Sequence, residues 1–383
     1  MTPEEILPGE LLERFRERAR GYDERNEFCH EDLAELKEQG YLRLFAPKSD
    51  GGLGLGLEAA AAAQRRLATA APATALAVNM HLVWTGVAHL LMERGDDSLH
   101  WVLQEAVAGE VFAFGISEAG NDSVLFDSNT VAAPQGDGSY AYTGTKIFTS
   151  LSPAWTRLGI FGKDSTGLDP ELVFGFITRE TPGYTIKDDW NTLGMRASQS
   201  CTTVLEGAVS PADRVFRKLP VGPNADPLIF AIFACFETLL AAVYTGVGER
   251  ALEIAVAQVH RRTSKKTGKS YAQDPDIRWR VADAALAMDG LYPQLAAVAR
   301  DVDQQVDHGR LWFPKMVGLK IRATETARDV VDKAIRVSGG GTYFAGNELG
   351  RLYRDVLAGI FHPSDDESAH NTVANAWLGP VEP

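Results

Sequence analysis

The order in which the residue patterning changes along this chain restricts its fold more than any single motif does. Over the first hundred residues apolar positions recur at helical spacing, as in Leu11, Leu12, Phe15 and Ala19 and then Leu33, Leu36 and Leu42. After Pro47–Gly56, too rich in glycine for a regular element, Leu57–Ala70, Asn79–Met92 and Asp97–Ala108 read as further helices. The texture changes near Val111. Short runs such as Val111–Ile116, Tyr140–Tyr142, Leu158–Phe161, Leu172–Thr178 and Thr202–Glu206 alternate with Gly, Pro, Asp and Asn, the signature of a compact β unit. Tyr142–Lys146 reads as a tight turn between two strands. A Pro- and Gly-bearing linker at 218–227 leads back to helical periodicity over Leu228–Val256, Ile277–Gln304 and Val317–Ser338, then a shorter helix over Asn347–Ile360. The expected fold is α+β and multidomain: an N-terminal helical domain over 1–110, a middle β sandwich or barrel over 111–217, and a C-terminal helical bundle over 228–383.

A chain of 383 residues can bury such a core without staples or metals. Lys and Arg number 38 against 51 Asp and Glu, a net charge of −13 that repels phosphate backbones and argues against a nucleic-acid partner. Cys29, Cys201 and Cys235 form no C-x-x-C pair and read as reduced, buried thiols of a cytoplasmic protein. The acidic start, Met1-Thr2-Pro3-Glu4-Glu5, lacks a basic-then-apolar leader pattern. From Pro227 to Gly248 Glu237 is the single charge, long enough to span a bilayer. Mid-segment Glu237, polar Thr238, Tyr244 and Thr245, and the lack of a flanking basic cluster favour a helix buried in a bundle, with no membrane partner.

Motifs taken singly say little. Gly339-Gly340-Gly341 follows a helix and so fails the strand-to-helix context of a dinucleotide fold; it reads as a helix stop or as bare backbone for a phosphate. Metal-ligand spacing and a nucleophile elbow are both missing, so no metal is expected. Asp365-Asp366-Glu367 reads as a solvated loop or helix start, and His81 beside Trp84 as a packed core histidine. Ser117, Thr149 and Ser150 at strand ends could bond the edge of a heteroaromatic ring with Phe148 on its face, or could be ordinary turn hydroxyls.

Their order carries more. Gly40-Tyr41 through Gly51-Gly52-Leu53-Gly54, Ile116–Ser123, Gly144–Ser150, Leu193–Ser198, Gly246, Arg262, Ala282-Asp283, Lys320, Glu325, Gly339-Gly340 and Arg354-Asp355 run in one sequence nearly end to end. In that order they resemble the acyl-CoA dehydrogenase superfamily of flavoproteins. The resemblance implies three domains ending in a four-helix bundle, a homodimer or homotetramer, and FAD held between the β domain and the bundle. It implies Phe148 beside the flavin ring, with Ile116, Ser117, Thr149 and Ser150 on its edges and Ser123 on the substrate or ribityl side. Arg262, from a second subunit, would meet the pyrophosphate, and Arg336, Gly339 and Gly340 would line the adenosine-diphosphate part.

One departure bears on the reaction. Dehydrogenases of this family take an α-proton from an acyl thioester with a carboxylate while hydride passes to flavin N5. Where that glutamate usually follows the Arg-Asp of the late helix, this chain has His362-Pro363-Ser364. Other members carry the base on the first bundle helix, which falls on Phe236, with Glu237 one step, or roughly 100°, away. The first expectation is therefore an FAD-dependent acyl-CoA dehydrogenase-like oxidoreductase acting on a small-molecule thioester. Glu237 is its catalytic candidate, with Asp365, Asp366 and Glu367 as further positions. The alternative is a flavin-dependent monooxygenase acting on a small aromatic, sulfur or amine substrate. It needs no such base, and its neutral donors would be His362, His81, Ser117 or Ser150.

Overall fold

The computed structural model of the protein describes residues 2–381. Its N-terminal part holds α1 (Pro3–Ile6), α2 (Gly9–Arg25), α3 (His30–Glu38), α4 (Leu57–Ala68), α5 (Pro72–Met92) and α6 (His100–Ala108). The strands are β1 (Phe112–Gly115), β2 (Val131–Pro134), β3 (Tyr140–Thr149), β4 (Arg157–Asp164), β5 (Glu171–Thr178), β6 (Tyr184–Ile186), β7 (Cys201–Ser210) and β8 (Val215–Pro220). The C-terminal part holds α7 (Pro227–Arg261), α8 (Pro275–Asp303), α9 (Trp312–Ser338), α10 (Glu348–Val356) and α11 (Asp366–Leu378). The helix, strand, helix order is thus the one the patterning predicts.

The strands form one sheet in the order β6-β7-β3-β2-β4-β5-β8, with β1 joined to β4 in parallel. Its two halves fold against each other: Ser210 Oγ of β7 donates to Phe176 O of β5 at 2.9 Å, and Tyr142 OH of β3 to Val173 O at 3.3 Å. Tyr142–Lys146 is not a turn. It lies inside β3, whose pairing with β7 shifts register after Tyr142 and again between Lys146 and Thr149. The glycine and threonines there mark a bulged strand rather than a reversal. β8 also runs to Pro220, into the stretch expected to be linker.

Proline at the first position and Asp226 accepting from the Leu228 backbone start α7, the central helix of the bundle. Gly246 lets it cross α4 closely, since a Cβ there would sit 2.3 Å from Arg65 O. Both α5 and α7 are long and apolar enough to cross a membrane, yet each is packed inside the fold over 89% of its most apolar window. Trp84 of α5 lies where a Gly159 side chain would be and donates Nε1–H to Ala113 O at 3.0 Å, fixing the N-terminal helices on the sheet. Asp365, read from sequence as one of three clustered carboxylates, caps α11 by accepting from Ser368 N, while Asp366 and Glu367 point to solvent. Cys29, Cys201 and Cys235 are free and buried.

Candidate active site

The site grows from the ends of β1 and β3. Past Gly115 the chain runs through Ile116 and Ser117 to Glu118, a buried carboxylate. Its Oε1 accepts from Lys146 Nζ at 2.6 Å and from Ser128, Thr130 N and Thr130 Oγ1; its Oε2 accepts from Asn129 N and Asn121. Burial pushes its carboxyl up, but the Lys146 charge and these donors outweigh burial and hold it at about 2. The Ser117 carbonyl accepts from Ile147 N at 2.9 Å, so the two segments are tied on both sides of the ion pair.

Beyond Lys146 the bulge in β3 places Phe148 at φ 56°, a left-handed conformation unfavourable for an aromatic residue. The strain turns its ring outward, 51% exposed and edge-on to Trp190 at 6.2 Å. The next residues part ways. Ser150 Oγ pairs with Ser200 Oγ at 2.7 Å, and Ser200 with Ser198 at 2.8 Å, a chain of hydroxyls. Thr149 is fully buried, and its Oγ1 has no hydrogen-bond partner among the described residues.

Phe148, Ser117, Ser150 and Ser200 wall one side of a cavity of about 250 Å³. Leu76 and Met80 of α5, Phe236 of α7, Thr192–Met195 and, from the end of α10 and the loop after it, Arg354, Leu357, Ala358 and Phe361–Pro363 close the others. Phe114, Ser117, Phe236 and Pro363 are shared with a second cavity of about 190 Å³. That space is lined by Ile116, Asp122–Phe126, Ile232, Phe233, Glu237, Ser364 and the Ser368, Asn371 and Thr372 face of α11. Both approach the range of small-molecule sites, roughly 300–1,000 Å³.

The loop after α10 separates these spaces and is held by buried polar groups. Lys320 Nζ donates to His362 O at 3.2 Å and Ser364 O at 3.0 Å. His362 Nε2 pairs with Tyr244 OH at 2.7 Å while the ring faces the first cavity. Burial, with Lys320 nearby, lowers its pKa to about 3, so the imidazole is neutral. Ser364, itself left-handed at φ 55°, donates Oγ–H to Glu237 Oε1 at 2.6 Å. Glu237 is 1% exposed, and its Oε2 has no hydrogen-bond partner among the described residues. Burial raises its pKa, against the pull of Ser364 and Lys320. On α7 Phe236 lines both cavities, its ring tilted against Phe114 at 5.8 Å, and Glu237 lines the second alone.

Residues 10–100 match the N-terminal domain of acyl-CoA dehydrogenases, and residues 238–366 match their C-terminal domain. The chain belongs to the acyl-CoA dehydrogenase superfamily. It is 28% identical over 375 residues to YdbM of Bacillus subtilis, covering 96% of this chain and 95% of YdbM. It is 26% identical to the amino sugar nitrososynthase DnmZ of Streptomyces peucetius, over 90% of this chain and 85% of DnmZ. Among solved structures, KijD3 in complex with FMN and a dTDP-3-amino-4-keto sugar superposes with a TM-score of 0.87 at 26% identity, over 99% of this chain and 94% of that one. The superfamily fold, with flavin-dependent relatives of several activities, is thus established.

Within this acyl-CoA dehydrogenase fold the predicted site residues fall into three places. Ser117, Phe148 and Ser150 meet in the first cavity; Ile116, Ser117, Ser123 and Glu237 line the second. The others lie elsewhere. Arg262, at the end of α7, donates to Ser338 O, stacks over Tyr271 at 4.7 Å, and packs against Gly339. Arg336 is exposed and paired with Asp332 at 2.6 Å. Neither arginine, nor Gly339 or Gly340, lines either cavity. His81 is core: Nδ1 accepts from Phe112 N and Nε2 bonds Leu42 O. The sequence reading missed Ser200, Trp190 and Tyr244. Ser198 lay in the quoted Leu193–Ser198 motif, but nothing local marked Ser200 as the middle of a hydroxyl chain. Among the described residues no cluster of His, Cys, Asp and Glu could hold a metal.

Proposed function

We propose that the protein is a flavin-dependent monooxygenase acting on a small organic substrate, with O₂ as oxidant and an external source of reduced flavin. One observation carries this reading. The cavity beside the Phe148 ring is lined by apolar groups, hydroxyls, neutral His362 and Arg354, and no carboxylate. The position of the usual base is taken by Pro363 in a loop that Lys320 and Ser364 lock in place. Proton abstraction from a thioester needs a base at that point; oxygen transfer does not. The likeness to the nitrososynthase DnmZ and, at 24% identity, to the dibenzothiophene monooxygenase of Rhodococcus qingshengii supports the same direction.

The donor set fits a flavin. An aromatic face held outward at a conformational cost suits a flat ring, the hydroxyls of Ser117 and Ser150 suit heteroatom edges, and the unpaired Thr149 hydroxyl lies on the same strand. The flavin, when bound, supplies the two-electron chemistry, and the chain positions it and excludes water. Ile116 and Ser123 would line its substrate side. FAD is the form we favour, with Arg262, Arg336, Gly339 and Gly340 contributed across a homodimer or homotetramer in the cytoplasm.

A second reading rests on one feature: Glu237 lines the adjoining cavity, and its enclosed Oε2 has no hydrogen-bond partner among the described residues. In an acyl-CoA dehydrogenase reaction that Oε2 would accept the α-proton of the thioester. Two assays separate the readings. Protein supplied with flavin, a flavin reductase and air should convert members of a panel of small amines, sulfides and phenols to products one oxygen heavier. Anaerobic titration with acyl-CoAs should leave the flavin colour unchanged. Bleaching by any acyl-CoA, abolished in Glu237→Gln, would overturn the oxygenase reading.

A further inference from the structure

Tyr244 of α7 is fully buried, and its hydroxyl has one hydrogen-bond partner among the described residues, Nε2 of His362 at 2.7 Å. Packing fixes the phenol ring: a Cβ on Gly359, just before His362, would lie 3.1 Å from Tyr244 Cε1. Burial raises the phenol far above its ordinary value, so the hydroxyl keeps its hydrogen. The neutral imidazole has a single N–H to place. If Nε2–H donated to the phenol oxygen, the tyrosine hydrogen would be stranded in the core without an acceptor. If the phenol donates to Nε2, every hydrogen of the pair has a place, and Nδ1 carries the ring proton.

Nδ1 is the atom that this pair leaves for a ligand. It has no hydrogen-bond partner among the described residues and, unlike Nδ1 of His89, it is not enclosed. His362 lines the ring-side cavity and not the adjoining one, so the nitrogen opens on the first. Another wall of that cavity obeys the same count. Ser198 is fully buried and its hydroxyl meets Ser200 Oγ alone, so its hydrogen goes there. The Ser150–Ser200 contact uses one of the two hydrogens that remain. The other, on Ser150 or Ser200, is left for the cavity that both residues line. Thr192 Oγ1 already donates to Gly194 O, and Arg354 is paired with Asp23. Two buried dead ends thus turn hydrogens, not lone pairs, toward the space.

We infer that Tyr244 holds His362 as its Nδ1–H tautomer and so makes it a hydrogen-bond donor that selects an uncharged substrate carrying an acceptor atom, such as a ring nitrogen, a carbonyl or an ether oxygen. His362 is on this account a specificity residue, and Tyr244 is a positioning residue that acts through it. A protonated amine, with no lone pair to offer, is the wrong partner for such a wall. The inference narrows the substrate class of the oxygenase reading and rests on that reading for the chemistry after binding.

The test reads tautomer and selectivity separately. The chain has eight histidines, and in protein carrying nitrogen-15 histidine the resonances lost in His362→Phe identify His362. Two-bond proton–nitrogen correlations then show which ring nitrogen carries the hydrogen. It should be Nδ1 in the wild type, and Tyr244→Phe should move it wholly or partly to Nε2. An Nε2–H ring in the wild type, or an unmoved Nδ1–H in folded Tyr244→Phe, overturns the inference. Flavin-loaded protein is next titrated at neutral pH with quinoline and indole, both uncharged and alike in size and hydrophobicity. Quinoline accepts a hydrogen bond through its nitrogen, and indole donates one. The wild type should bind quinoline about tenfold more tightly, a difference of about 1.4 kcal/mol, and the two affinities should come within about threefold in both variants. Equal affinities or a preference for indole in the wild type overturn the inference, as does a quinoline preference that survives in folded His362→Phe. If tautomer and preference hold but no oxygenated product forms with reduced flavin and air, the oxygenase reading fails and the donor site stands.

Discussion

Lys146 shows how one side chain can serve both stability and the site. It is fully buried, 2.6 Å from Glu118, with its ammonium 4.3 Å from the centre of the Phe161 ring. Its sequence neighbours lead to Phe148, and those of Glu118 lead back to Ser117, so the pair clamps the two segments that face the proposed flavin ring. Removing one member leaves the other charged and buried, a cost of about 3–5 kcal/mol. Lys146→Met should therefore lower stability in denaturant titration by about that amount, and the Glu118→Gln, Lys146→Met double variant should recover part of it. A loss below about 1 kcal/mol would mean that water reaches the pair. The acid dependence has a definite sign. With its carboxyl held at about 2, Glu118 stabilises the fold fully above the ordinary value of 4.5, and this contribution fades as pH falls toward 2. The double variant should lose that acid sensitivity.

Between elements, the segment from Trp190 to Ser200 has little regular structure yet forms a cavity wall, and it is held by the end of α2, through Asp23 and Asn26, and by α10. Asp355 Oδ1 accepts from Met195 N at 2.6 Å, Arg354 Nη1 donates to Leu193 O at 2.9 Å, and Arg354 also pairs with Asp23 of α2. Gly194 allows this approach, because a Cβ there would lie 2.3 Å from the carbonyl carbon and oxygen of Arg354. Gly194→Ala should therefore push the segment off α10. We expect about 1–3 kcal/mol of destabilisation by thermal or denaturant unfolding, together with weaker flavin binding. Unchanged flavin affinity would show that this wall does not touch the cofactor. The same segment marks where sequence reading stops. The long helices were legible because their apolar faces repeat over many turns, although α7 and α9 extend several residues past the predicted ends. The β3 bulge was not, since Gly144 and its threonines suit a turn as well as a strand; the pairing with β7 decides. Ser117, Phe148 and Ser150 could be found from motif order. Ser200 could not, because its role depends on a hydroxyl fifty residues earlier in the chain.

Across the whole molecule, the groups proposed for one cofactor are divided. The ring-side residues converge where the sheet meets α5, α7 and the loop after α10, while Arg262 and Gly339 sit together at the joint between α7 and the end of α9. Since none of the arginine set lines the ring cavity of its own chain, a single copy offers these phosphate-binding groups no role there. If two copies share the cofactor, as the family resemblance implies, Arg262 meets the pyrophosphate, of which FMN keeps the flavin-side phosphate and lacks the other. The two flavins then become a direct probe. Arg262→Ala should weaken FAD binding by about tenfold or more, as expected for loss of a charge-assisted contact to phosphate worth about 1.5–3 kcal/mol. FMN, with one of the two phosphates, should be weakened less than FAD. Fluorescence quenching titrations with both flavins measure this without turnover. Equal weakening for both would place Arg262 in support of the fold, through Ser338 and Tyr271, and equal affinity of the wild type for FMN and FAD would mean that the adenosine half finds no partner at all.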